Sequence, residues 1–241
     1  MPSPPTAPTL SPTWTSLVLA HLRKDLQIEW RSRDAINSML FFALLVVVLF
    51  SMAFDPTRAT SREIAGGVLC VATLFASVSA LNQAWAREIR HQVLDALRMT
   101  QQTQGGGGAA LFLAKVLANF VFVGIVQLVL GPIFFIFYNL HPLGDTSRLA
   151  LVIPLGTWAL VSNGTFFAAL SIRSRNRELL LPLILFPIFL PALLAMVLSV
   201  KTILTGDGSD PNLLFIKVLA GYDIIFTTIS LLLFDTVIEA E

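Results

Sequence analysis

The chain has 241 residues, of which 55% are hydrophobic and only 13% are charged, and its mean hydropathy is +0.77. An ordinary soluble domain carries about 25% charged residues, so this composition excludes one. The net charge is +1, and the single cysteine, Cys70, can form no intrachain disulfide. The length leaves room for about six membrane spans with short loops, and for no appended catalytic domain.

The N-terminal part predicts a tail followed by an amphipathic helix. Residues 1–13 are rich in Pro, Ser and Thr, which is typical of a disordered tail, and no cleavable signal peptide is evident, so the first span is expected to be an uncleaved anchor. Apolar residues then recur every four positions: Trp14, Val18, Leu22, Leu26 and Trp30. This spacing predicts a helix over 14–32 that lies in the membrane interface, with the charged residues Arg23, Lys24, Asp25 and Glu29 elsewhere on its surface. A helix that docks on a partner protein is the alternative.

Six apolar segments long enough to cross a bilayer follow the helix, since about 20 apolar residues span the hydrocarbon core. They cover about 35–54, 64–86, 111–138, 149–172, 179–200 and 213–238. The sequence therefore predicts an all-α, polytopic membrane helix bundle, and residues 14–241 are interpreted as one transmembrane domain. Three prolines, Pro182, Pro187 and Pro191, predict that the fifth span is bent and that neighbouring helices or water satisfy the freed carbonyls.

The distribution of basic residues predicts the orientation. Eleven of the sixteen Lys and Arg residues lie in the N-terminal segment, in the connection from 86 to 115, and in the 171–178 loop. That loop contains Arg173, Arg175 and Arg177 and ends at Glu178. Because basic residues are enriched in cytoplasmic loops, we expect both termini and both of these loops to lie in the cytoplasm.

The segment Arg87–Thr100 is the one predicted cytoplasmic connection long enough for structure of its own. Ile89, Val93 and Leu97 form an apolar stripe at helical spacing. A short amphipathic helix of this kind can lie on lipid or insert into the groove of a partner, and the composition leaves both open. The following tract, Gln101–Gly108, lacks the Gly-Lys-Ser/Thr of a phosphate loop and is interpreted as a flexible linker.

Asp223 is the one acidic residue clearly inside a predicted span. An intramembrane carboxylate usually faces the bundle interior or water, so a functional role and simple hydration from outside are both open. Lys217 is six residues away and does not share a helical face with it. No motif of a protease, hydrolase or redox enzyme is present, so we expect no catalytic residue and no metal site.

Several stretches in order resemble the haem exporter protein B (CcmB) family, the permease subunit of an ABC-type system for cytochrome c maturation. The resemblance covers residues 17–239 and is carried by five segments. They read LRKDLQIEWRSRDAINSMLFFALLVVVLF, AWAREIRHQVLDALRM, LFLAKVLANF, SIRSRNRELLLPLILFPIFLP and GYDIIFTTISLLLFDTVIE. The tract QQTQGGGG departs from the family pattern by being longer, which bears on how the preceding loop sits on an ATPase.

The resemblance implies an ABC-2-like permease in the bacterial cytoplasmic (inner) membrane, driven by a separate ATPase subunit (CcmA-like). It also implies a haem-handling subunit (CcmC-like), a small accessory subunit (CcmD-like) and a periplasmic haem chaperone (CcmE-like). The resemblance further implies that the 87–100 loop is the coupling helix that docks on the ATPase. Its expected contact residues are Arg87, Glu88, Ile89, Val93, Leu94, Asp95 and Leu97. Haem is expected as a handled ligand held mainly by other subunits, and ATP only through the partner.

Two alternatives remain. The chain could be an ABC-2 type exporter permease for another substrate, such as a drug, a lipid or a polysaccharide. It could instead be a noncatalytic scaffold that anchors assembly partners in the membrane.

Overall fold

The computed structural model describes residues 13–54, 58–90, 107–140, 146–171, 177–206 and 211–239, with side chains at 13–54, 63–85, 107–140, 147–171, 183–206 and 213–236. Every regular element in these ranges is helical. The helices are α1 (Trp14–Ser32), α2 (Asp34–Ala53), α3 (Arg58–Arg90), α4 (Gly107–Phe137), α5 (Leu149–Leu170), α6 (Arg177–Thr205) and α7 (Pro211–Glu239), and a 3₁₀ turn (Thr146–Arg148) precedes α5.

Six of these helices contain segments long and apolar enough to cross a membrane, with mean hydropathies from 1.4 to 2.6. They are Asp34–Ala53, Glu63–Trp85, Gly107–Phe137, Leu149–Leu170, Leu183–Thr205 and Leu213–Thr236. The predicted class, an all-α polytopic bundle with six spans, is therefore confirmed. Helix α1 is the amphipathic helix expected before the first span. The tail predicted over 1–13 lies outside the described residues except for Thr13.

The connection between the second and third spans is shorter than the sequence indicated. Helix α3 continues to Arg90, and α4 begins at Gly107. The linker predicted over 101–108 is therefore wrong at its end, because Gly107 and Gly108 belong to α4. The physical reason is an N-terminal cap: the backbone N–H of Ala109 donates to Asp235 Oδ1 at 3.0 Å. A carboxylate at this place satisfies one of the free N–H groups of the first helical turn.

The core lies between α3, α4, α5 and α6. Helix α6 packs against α3, α5 and α7, whereas α2 packs on α3 and α4, and α1 packs mainly on α4. The backbones of α3 and α6 approach closely at Gly66, where an added Cβ would lie 3.0 Å from the Val197 carbonyl oxygen. Small residues of this kind allow close helix packing in membranes.

The proline-rich fifth span remains one helix, α6, from Arg177 to Thr205. Tyr222 of α7 donates its hydroxyl hydrogen to the Ile188 carbonyl oxygen at 2.7 Å. Pro187 and Pro191 free the carbonyls of Leu183 and Pro187, so this bond falls beside a freed carbonyl and not on it. A neighbouring helix thus contacts α6 in its proline-containing part, whereas a bend in α6 and partners for the freed carbonyls remain predictions.

Candidate functional site

The buried face of α1 carries two carboxylates. Asp25 and Glu29 are buried together with Val18, whereas Leu22 and Leu26 are half-buried and both tryptophans are exposed. The placement of these two acids on the exposed surface of α1 was therefore wrong. Residues four apart share a helical face, and this face turns toward α4, where Lys115 pairs with Asp25.

Lys115 of α4 is the partner of Asp25. Its Nζ lies 2.8 Å from Asp25 Oδ2, and both side chains are removed from solvent. Lys24 Nζ lies 3.6 Å from the other carboxylate oxygen and is more exposed. Removing one member of a buried ion pair leaves an uncompensated charge and costs about 3–5 kcal/mol. The pair therefore locks α1 against α4 in one register.

Glu29 supports the junction between α1 and α2. The chain leaves α1 through Arg33, which has a left-handed backbone conformation with φ 56°. The N–H of Ile36, the third residue of α2, donates to Glu29 Oε1 at 3.0 Å. The carboxylate thus occupies the N-terminus of α2, where the helix dipole favours negative charge. One acid of α1 therefore holds α4, and the next holds the start of the first span.

We call Asp25, Glu29, Lys115 and Asn119 the polar joint. They line a cavity of about 20 Å³ whose remaining wall comes from Ala35, Ala80, Ala84, Ala118 and Phe122. Four helices meet here: α1, α2, α3 and α4. Asn119 is buried, and its Nδ2 has no hydrogen-bond partner among the described residues. The cavity has about the volume that one water molecule needs, and its lining offers the polar partners such a molecule requires.

A second set of contacts holds together the helix ends on either side of the predicted coupling loop. Phe234 of α7 contacts Phe112 of α4 with ring centroids 4.9 Å apart, and Trp85 of α3 at 6.3 Å. One residue farther along α7, Asp235 caps α4 at Ala109. The end of α3 and the start of α4 are therefore held together on both sides of the 91–106 connection.

The predicted coupling residues fall mostly outside the described part of the chain. Arg87, Glu88 and Ile89 belong to the last turn of α3, but their side chains are not described. Val93, Leu94, Asp95 and Leu97 lie wholly outside, as do Arg173 and Arg175. Arg177 and Glu178 open α6, again without described side chains. These assignments remain predictions.

Asp223 lies in the middle of the last span, Leu213–Thr236, on the face of α7 that is turned into the bundle. Neither carboxylate oxygen has a hydrogen-bond partner among the described residues. Lys217 is exposed on another face, as its spacing predicted. One turn before Asp223, Leu219 packs in a cluster with Ala159 of α5 and Ala192 and Ala195 of α6. Within the described ranges no three His, Cys, Asp or Glu residues group as metal ligands.

A polar cluster that the sequence analysis missed crosses the bundle interior. Gln127 of α4 donates from Nε2 to Thr73 Oγ1 of α3 at 3.2 Å and to Thr157 Oγ1 of α5 at 2.8 Å. Thr157 also donates to the Ile153 carbonyl oxygen of its own helix, at 2.8 Å. The signal that could have found such residues is a lone amide or lysine inside an apolar span, because polar groups there turn toward other helices.

The fold and the polar joint define a class: a polytopic helical membrane protein with a charged junction at one end of its spans. Comparison with known proteins identifies the family. The profile described as "CcmB protein" matches residues 16–239, and the chain belongs to this family.

Curated relatives agree with the family match. The chain is 29% identical over 178 residues to heme exporter protein B of Haemophilus influenzae, covering 74% of this chain and 78% of the relative. It is 30% identical over 175 residues to heme exporter protein B of Rhodobacter capsulatus, covering 73% and 78%. It is 28% identical over 212 residues to heme exporter protein B of Pseudomonas aeruginosa, covering 88% and 92%.

Proposed function

We propose that this chain is the permease subunit of an ABC-type complex in the bacterial cytoplasmic membrane that serves cytochrome c maturation. It acts in haem export or delivery, or in release of a haem-loaded chaperone, and a separate ATPase subunit provides the energy. The observation that carries the proposal is the family match over residues 16–239, together with six spans in one bundle. The relatives' name, heme exporter protein B, supports haem as the handled compound.

The polar joint supports a route by which a partner's motion reaches the spans. The 91–106 connection leaves α3 and enters α4, and the joint packs directly against these two helices through Ala80, Ala84 and Ala118. Through Asp25 and Glu29 the same joint holds α1 and the start of α2. A displacement of the connection by an ATPase is therefore passed to four helices at once. A contiguous set of packed and hydrogen-bonded side chains of this kind can carry energetic coupling between two sites.

The proposed topology places both termini, the coupling loop and the 171–178 loop in the cytoplasm. The basic residues of these segments support it. The partners are an ATPase, a haem-handling membrane subunit with its small accessory subunit, and a periplasmic haem chaperone. Haem is held mainly by those partners, and this chain hydrolyses no nucleotide itself.

The coupling assignment is tested by co-purification of the ATPase with variants of the loop. We expect Asp95→Lys, or Leu94→Glu combined with Leu97→Glu, to abolish co-purification, because charge reversal or a charged stripe prevents docking in a groove. The matched control is Asp145→Lys, which makes the same charge change in a loop predicted on the opposite side. Undiminished co-purification with both loop variants contradicts the coupling assignment.

The function itself is tested by covalent haem attachment to c-type cytochromes. Deletion of the chain should abolish attachment, and a partner ATPase that cannot hydrolyse ATP should do the same. Normal attachment after deletion would favour an exporter of another substrate. If haem attachment is lost after deletion of the chain but is normal with the inactive ATPase, the result favours the scaffold.

A further inference from the structure

A large groove runs between α1 and α4 and reaches the first turn of α2. Its volume is about 1000 Å³, at the upper end of the size range of small-molecule sites. The floor is apolar and combines residues of all three helices. They are Leu22 and Leu26 of α1, Ile36 of α2, and Val121, Phe122 and Ile125 of α4.

The charged residues that line this groove all have the same sign. Arg23, Lys24 and Arg31 line it, and among the residues with described side chains no acidic one does. Arg23 and Arg31 are exposed and eight residues apart, which puts them close to one face of α1. The acids of α1, Asp25 and Glu29, are buried on the side of the polar joint, where Lys115 and the start of α2 receive them. The groove is thus an apolar trough with a cationic rim.

The groove lies at the level where the first span begins. Ile36 is the third residue of α2, and the first membrane span starts at Asp34. Trp30, which is 70% exposed, also lines the groove, and tryptophans of this kind are enriched at the boundary between headgroups and hydrocarbon. On α4, exposed Val121 belongs to the wall and exposed Leu128 continues the same surface along the span. The trough is therefore open toward the acyl chains, with its charges at the headgroup level.

We propose that this groove binds an anionic phospholipid of the bilayer, with an acyl chain along Leu26, Phe122 and Ile125 and the phosphate at Arg23 and Arg31. Basic pockets beside membrane helices recognise anionic headgroups in this way, and the apolar floor adds the burial of methylene groups. Charge complementarity and the level of the groove favour a lipid over the helix of a protein partner. The proposal does not depend on the haem-related function.

The first test uses the unmodified full-length chain, stripped of lipid in a neutral detergent and examined by native mass spectrometry. Phosphatidylglycerol and phosphatidylcholine with identical acyl chains are titrated separately. We expect one tightly retained phosphatidylglycerol and at least tenfold weaker retention of phosphatidylcholine. Equal retention of the two lipids overturns the proposal. So does displacement of phosphatidylglycerol by millimolar inorganic phosphate, because the site would then bind the anion alone.

Variants that remove positive charges test the proposed phosphate contacts of the groove. Each basic residue near the surface contributes about fivefold to affinity, so Arg23→Gln with Arg31→Gln should weaken phosphatidylglycerol retention roughly 25-fold. The control variant, Lys201→Gln with Lys217→Gln, removes two positive charges outside the groove and should leave phosphatidylglycerol retention unchanged. Equal losses in the two pairs contradict a localised site.

A groove-filling change tests the acyl part without altering charge. Val121→Phe places an aromatic ring in the trough and should weaken retention roughly tenfold, since excluding about two methylenes has that effect. Val129→Phe, on the exposed part of α4 outside the groove lining, is its control. Unchanged retention in Val121→Phe overturns the acyl-chain placement.

Loss of lipid from the complex assembled with the ATPase also overturns the proposal, because the groove would then be a protein interface.

Discussion

Among the residues that the structure describes, two aspartates are buried to nearly the same extent, Asp25 at 9% exposure and Asp223 at 7%. Asp25 sits in the polar joint, 2.8 Å from Lys115, where α1, α2, α3 and α4 meet. Asp223 sits in the middle of α7, one turn after Leu219, which packs with alanines of α5 and α6, and its oxygens have no hydrogen-bond partner among the described residues.

The difference shows how the same residue type serves two purposes. A paired carboxylate at a helix junction fixes the packing of the helices, because separating the pair leaves a charge in a low-dielectric site. An unpaired carboxylate inside a span adds nothing to the packing that an amide could not supply, and intramembrane acids of this kind are functional sites by default. The comparison therefore assigns Asp25 to the architecture, and we propose that Asp223 has a functional role in the bundle.

The largest expected effect concerns the lysine of the joint. Lys115→Met leaves Asp25 without its closest cation and should lower the free energy of unfolding by about 3–5 kcal/mol. The measurement is unfolding of the purified chain in detergent. Lys217→Met, which removes an exposed lysine from α7, should change the free energy by less than about 0.5 kcal/mol. Similar values for the two variants would show that the joint does not hold α1 on α4.

A smaller effect on the free energy of unfolding is expected at Gly66, where α3 and α6 pack closely. Gly66→Ala puts a Cβ 3.0 Å from the Val197 carbonyl oxygen and 3.3 Å from the Lys201 backbone nitrogen, so α3 and α6 must separate. The expected loss in unfolding free energy is about 1–3 kcal/mol. Gly67→Ala meets nothing within 4 Å and should be neutral or stabilising, because alanine favours the helix. A tolerated Gly66→Ala would contradict the close approach of these two helices.

The smallest effect on stability is expected at Asp223. Asp223→Asn keeps the side-chain volume and breaks no hydrogen bond to a described residue. The free energy of unfolding should therefore change by less than about 1 kcal/mol. Covalent haem attachment to c-type cytochromes should nevertheless fall in cells carrying this variant, whereas Thr228→Ser, on the exposed side of α7, should support normal attachment. A loss of stability comparable to that of Lys115→Met would place Asp223 with the architecture instead.

Much of this architecture was predictable because its signals are local. Hydropathy over about 20 residues predicts a span wherever it occurs, and the four-residue spacing from Trp14 to Trp30 predicts α1 without reference to the rest of the chain. The family match likewise agrees with the resemblance seen in the segments along the chain.

The polar joint was not predictable in the same way, because its partners are far apart in sequence. Asp25 and Glu29 look like the solvated face of an amphipathic helix until Lys115, which lies in another helix, is placed beside them. Helix α4 starts earlier than predicted for a similar reason. Glycines at 107 and 108 favour a flexible loop locally, but Asp235 of the last helix caps the turn that follows them.

The central claim is that Asp25 and Lys115 act as one unit that fastens α1 to α4. A double-mutant cycle with Asp25→Asn, Lys115→Met and the combined variant measures this directly, with unfolding free energy in detergent as the readout. The account predicts that the combined variant is less destabilised than the sum of the single variants by about 1–3 kcal/mol. Additive effects, within about 0.5 kcal/mol, would contradict it.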